Sequence, residues 1–126
     1  MKSIPNTKKI LLFISLGLFF IFSCPSIILA HPPKGLTAEY DIANQKFTVR
    51  IDHGSFAPSM HYINKVEVKN NTQAVINQTY KSQPDKNPFE YTYEIPAKVG
   101  DVLEITASCN FYGSKTISIT IGKPAK

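Results

Sequence analysis

Four side chains in this sequence have the chemistry of transition-metal ligands: His31, His53, His61 and Cys109. The chain contains three histidines and two cysteines in 126 residues, so this set takes every imidazole and one of the two thiols. Imidazole nitrogen and thiolate sulfur together favour first-row transition metals. Each residue alone also has an ordinary explanation. A cysteine ending an apolar row is commonly a small buried hydrophobe, and a loop histidine is commonly solvated or hydrogen-bonded. The eight-residue step from His53 to His61 is a weak signal by itself. The coincidence carries more weight, because all four residues fall at predicted strand ends or at the start of the folded chain. His31 adds a second chemistry. As the first residue of a processed chain it would offer an α-amine beside its imidazole, a chelate that suits copper(II).

These residues must be positioned by β-strands, since no helix-period stretch of useful length follows Ala30. Short alternating runs broken by Pro, Asn and Gly predict strands over 36–42, 46–53, 62–69, 74–80, 89–95, 102–109 and 116–121. Seven strands with mostly short connections predict an all-β fold, an immunoglobulin-like antiparallel β-sandwich. Side chains alternate across a strand. His53 therefore continues the inward row Phe47, Val49, Ile51, and Cys109 continues Leu103, Ile105, Ala107. The metal reading requires that folding bring Cys109 and at least two imidazoles to one point. The aromatics Tyr91, Tyr93, Phe111 and Tyr112 are read as exposed; in a purely structural sandwich they would serve a protein partner, although edge-strand aromatics are usually cross-strand pairs.

Other chemistry finds no support. There is no G-x-S-x-G elbow, no phosphate-cradling glycine loop and no paired-cysteine zinc motif. Glu39 and Asp41 share one strand face, as solvated carboxylates do. The triplets Asn70-Asn71-Thr72 and Asn77-Gln78-Thr79 match the glycosylation pattern, which matters only in a host that uses it.

Residues 1–30 read as a secretory signal peptide. A basic start (MKSIPNTKK) precedes an uncharged apolar run and a small-residue end at Ala30. Acylation at Cys24, which would make a lipoprotein, and an uncleaved anchor are the alternatives. The apolar run is short for a span of about 20 residues. Cleavage after Ala30 leaves one domain, 31–126, exported to the periplasm or beyond and free of the membrane. Eleven basic residues then face nine acidic ones, a net charge of +2. Such a balance implies no nucleic-acid partner. The single remaining thiol cannot form an internal disulfide, which leaves it buried, bonded to another chain, or on a metal.

Two stretches carry a family resemblance. The segment HGSFAPSMHYINKVEV, from His53 to Val68, resembles the central motif of the superoxide reductase (desulfoferrodoxin) iron domain, and SCNFYGSK resembles that family's Cys-Asn motif near the C-terminus. The resemblance spans His31 to Ile121. It implies an immunoglobulin-like domain with one non-haem iron, bound by histidines in a plane and by an axial cysteine, that reduces superoxide to hydrogen peroxide with electrons from a donor protein. Carried over by motif, His53, His61 and Cys109 correspond to ligands, and His31 to the early histidine. Tyr112 stands where the family has a further histidine, and Gly54 where it has proline. Lys34 is the candidate for the lysine that draws in superoxide. Two other readings stay open: a non-catalytic exported copper or iron binder, and a structural envelope sandwich with no metal.

Overall fold

A computed structural model describes residues 31–122. The expected signal peptide, the Cys24 alternative and the tail from residue 123 lie outside the described residues. The described chain forms seven strands: β1 (Gly35–Asp41), β2 (Lys46–Asp52), β3 (Ile63–Asn70), β4 (Gln73–Thr79), β5 (Phe89–Glu94), β6 (Val102–Cys109) and β7 (Ser114–Thr120). They make two antiparallel sheets, one ordered β1-β2-β5 and the other β4-β3-β6-β7. This is the expected all-β sandwich.

The strands form where apolar residues recur every second position, and burial follows that period. In β2, Phe47, Val49 and Ile51 are fully buried while Lys46 and Arg50 are exposed. In β6, Leu103, Ile105, Ala107 and Cys109 face inward. These rows meet Val66 and Val68 of β3 to form one core between the sheets. Burying such rows is the main force that holds two sheets face to face.

The edge where β4 and β5 lie is closed by aromatics. Tyr80, just past β4, stacks on Tyr91 of β5 with ring centroids 4.2 Å apart and planes 5° from parallel. Its hydroxyl lies 2.7 Å from that of Tyr93. The expectation that Tyr91 and Tyr93 are exposed is therefore corrected: both are half-buried and pack against the core. Burial pushes the Tyr91 phenol up to about 12, and it raises those of Tyr80 and Tyr93 as well. All three hydroxyls stay protonated at neutral pH and serve as hydrogen-bonding groups, not charges.

Candidate metal centre

The cluster sits at one end of the sandwich, where the end of β2, the approach to β3 and the end of β6 converge. His53 follows β2 and is fully buried. Cys109 is the last residue of β6 and is 8% exposed. His61 lies two residues before β3 and is half-buried. Ligand atoms of these three residues all lie within 4.8 Å of one another. His61 Nε2 and Cys109 Sγ are 3.1 Å apart. The cluster has the donor types and spacing to hold a metal ion.

His61 reaches this place through two local devices. A turn closes ahead of it: the Met60 and His61 amides both donate to the Ala57 carbonyl at 2.8 Å. Pro58 is the residue after Ala57, where its fixed φ favours a turn. The second device is a β-bulge. Ile63 pairs with Cys109 and Lys65 with Ser108, so Asn64 is an extra residue in β3. Strict alternation from Val66 and Val68 would turn Ile63, and with it His61, away from the core. The inserted residue resets the phase, so that Ile63 is fully buried opposite Cys109.

Two amides brace the cluster from outside it. Asn110 ties the Cys109 strand to the His61 loop. Its side chain accepts from the Tyr62 amide at 2.9 Å and donates to the Met60 carbonyl at 2.8 Å. Its own backbone amide donates to the Tyr62 carbonyl at 3.0 Å. Asn87 fixes the exit from β2: its carbonyl oxygen accepts from the His53 amide at 2.8 Å and its amide donates to Asp52 at 2.8 Å. Gln83, buried in the loop after β4, contacts His53 directly; its oxygen lies 2.7 Å from His53 Nδ1. The other ring nitrogen, His53 Nε2, is buried and has no hydrogen-bond partner.

His31 comes to the same place from the other end of the chain. Its ring centroid lies 5.6 Å from that of His53 and 5.7 Å from that of His61, and the latter two are 4.7 Å apart. The His31 ring therefore borders the cluster, while the close set of ligand atoms is that of His53, His61 and Cys109. The anchor is the following dipeptide. Pro33 is buried, and Pro32 packs on Gly113, where a β-carbon would stand 3.0 Å from the proline ring. Gly113 also has φ +84°, a conformation that glycine adopts freely.

The remaining predicted residues lie further out. Tyr112 is 73% exposed at the tip of the β6–β7 loop. Its neighbour Phe111 is the ring that packs on His61, at 5.4 Å. Lys34 is exposed, and its backbone amide bonds the Asp52 carbonyl at 2.8 Å. The loops around the cluster also expose Phe56 and Met60. Crowding has an electrostatic result: burial holds the His61 imidazolium below its usual pKa, and repulsion from His53 and His31 adds to that.

Gln83 and Asn87 were missed by sequence reasoning; Asn110 stood in the Cys-Asn motif, but its bracing role did not follow from it. They sit in polar loops without periodicity, and only the folded topology shows what they brace. No protein-family model matches the chain, and a search of curated proteins finds no match.

Proposed function

We propose that this domain is a mononuclear metal protein whose ligands are His53, His61 and Cys109, with His31 as a fourth donor. One observation carries the reading: a fully buried imidazole keeps an unpartnered nitrogen beside a thiol–imidazole pair. Leaving a buried polar atom unsatisfied costs about 1–3 kcal/mol. Metal coordination would remove that cost, with Cys109 and His61 supplying the other donors. The 3.1 Å between His61 Nε2 and Cys109 Sγ also suits adjacent donors on one ion, given bond lengths of about 2.0 Å to nitrogen and about 2.3 Å to sulfur, as for zinc.

The further reading is non-haem iron that reduces superoxide to hydrogen peroxide, with an electron-donor protein as partner. The motif resemblance and the meeting of His53, His61 and Cys109 support it. Bound ferrous iron would supply the one electron that superoxide needs, two protons completing hydrogen peroxide. The Cys109 thiolate would donate electron density, and Phe56, Met60 and Tyr112 would give a donor protein an apolar rim. Copper is the second reading, favoured by the close set itself: two imidazoles and one sulfur are a copper(II) thiolate set. Export to the periplasm or cell surface fits either metal.

Metal analysis and visible absorption of the purified protein test both readings, with His53→Ala and Cys109→Ala alongside. One equivalent of iron or copper is expected, lost or sharply reduced in both variants. Iron–thiolate and copper–thiolate absorb at different energies, and a superoxide consumption assay separates turnover from storage. Unchanged metal content in both variants would sink the site.

A further inference from the structure

Gln83 lies more than 20 residues in sequence from each of His53, His61 and Cys109, yet its amide makes three contacts beneath the cluster. Its Oε1 accepts from the Ile63 amide at 3.1 Å and lies 2.7 Å from His53 Nδ1. Its Nε2 donates to the His53 carbonyl at 2.7 Å. Two of these partners are backbone groups of fixed character, and they determine which way the amide points. Turned over, its NH2 would face the Ile63 N–H, donor against donor, and its oxygen would face the His53 carbonyl, acceptor against acceptor. The oxygen therefore faces His53 Nδ1. An oxygen there can only accept, so Nδ1 carries the proton. In the neutral ring Nε2 is then a bare lone pair, and it is the buried nitrogen that has no partner.

We propose that Gln83 is the positioning residue of the metal centre: by holding the Nδ1–H tautomer of His53, it presents Nε2 to the ion before any ion arrives. The proposal rests on the metal reading of the cluster, and it extends that reading to a residue that touches no metal. Partners of this kind fix ring orientation and tautomer in metal sites. An amide does so without adding charge. A carboxylate in its place would make the imidazole a stronger donor. Gln83 also ties the bulged start of β3 to the end of β2 through Ile63 and His53, and its backbone amide bonds the Pro58 carbonyl at 3.1 Å in the His61 loop. Gln83 thus orients His53 through its side chain and ties the segments that carry His53 and His61 through its side chain and backbone together.

Nitrogen-15 NMR of histidine-labelled, metal-free protein reads the tautomer directly, and three imidazoles give a spectrum simple enough to assign with His31→Ala and His61→Ala. The expected result is Nδ1–H for His53 in the native sequence and in Gln83→Glu, whose carboxylate still accepts. In Gln83→Leu the Nδ1–H form is lost or mixed, and the metal dissociation constant rises by about 10–100-fold. Native protein with the proton on Nε2 overturns the proposal, whether or not any variant folds. So does a folded Gln83→Leu that keeps both the tautomer and the affinity. Because the tautomer is measured without metal, a native protein that shows Nδ1–H but binds no ion would refute the metal reading and leave the Gln83–His53 assignment standing.

Discussion

At the scale of single residues, His61 and Cys109 have different consequences when changed. Cys109→Ser removes the only sulfur of the cluster and little volume, so the fold is expected to persist while any thiolate-to-metal absorption band disappears. Parallel circular dichroism and visible spectra check this, and a band that survives would mean that the sulfur is not a ligand. His61 adds a pH dependence. Burial first, then its two imidazole neighbours, disfavours its charged form, so its folded pKa lies below the ordinary histidine value of about 6.5. The unfolded chain therefore binds a proton that the folded, metal-free chain resists. The His61 contribution to stability is complete above about pH 6.5 and is lost as pH falls through the depressed folded value. Denaturation midpoints of metal-free protein between pH 7 and 5 should decline, and His61→Gln should flatten that part of the decline. Parity along two strands made His53 and Cys109 legible in the sequence as inward-facing. His61 was legible only as a residue type, because a single inserted residue, Asn64, decides which way it faces. Gln83 was not legible at all, since its role comes from tertiary approach and not from any local pattern.

At the scale of elements, the strands were readable and the loops were not. Each of the seven strands lies within two residues of its expected bounds, because an alternating apolar row such as Phe47-Val49-Ile51 can be buried in only one way. Loops carry no such row, and here they do the positioning. Gly113 is one case. With φ +84° and Pro32 close above it, alanine there meets both backbone strain and a clash at 3.0 Å. Gly113→Ala should cost about 1–2 kcal/mol from the left-handed backbone alone, and displacing Pro32 should loosen His31. Thermal melts measure the first effect, and exchange broadening of the His31 ring resonances measures the second. An unchanged His31 would show that the tail is held by Pro33 alone. The tyrosine edge behaves differently. Tyr80→Phe removes the 2.7 Å hydroxyl pair with Tyr93 but keeps the stack on Tyr91, so a loss of about 1 kcal/mol is expected, with metal content unaffected.

At the scale of the whole molecule, the cluster joins what the core only packs together. His53 belongs to the end of β2 in one sheet, whereas Cys109 ends β6 and His61 leads into β3 in the other. An ion held by all three would therefore bridge the two sheets at one end of the sandwich. Cys109 is unpaired, and no disulfide does this among the described residues. The unfolded chain cannot present the three ligands at these separations, so metal binding should appear as folding stability. At a free metal concentration one hundred times the dissociation constant, linkage supplies about 2.7 kcal/mol. For a domain of this size that corresponds to a rise in melting temperature of about 10–20 °C. The rise should grow with the logarithm of metal concentration, vanish on chelation, and be absent in Cys109→Ser and in His53→Ala. Because the bridge involves both sheets, it should also protect the amides of β2 and β6 from hydrogen exchange together. Protection confined to the β6–β7 loop would mean that the ion sits on the second sheet alone, with His53 outside its coordination sphere.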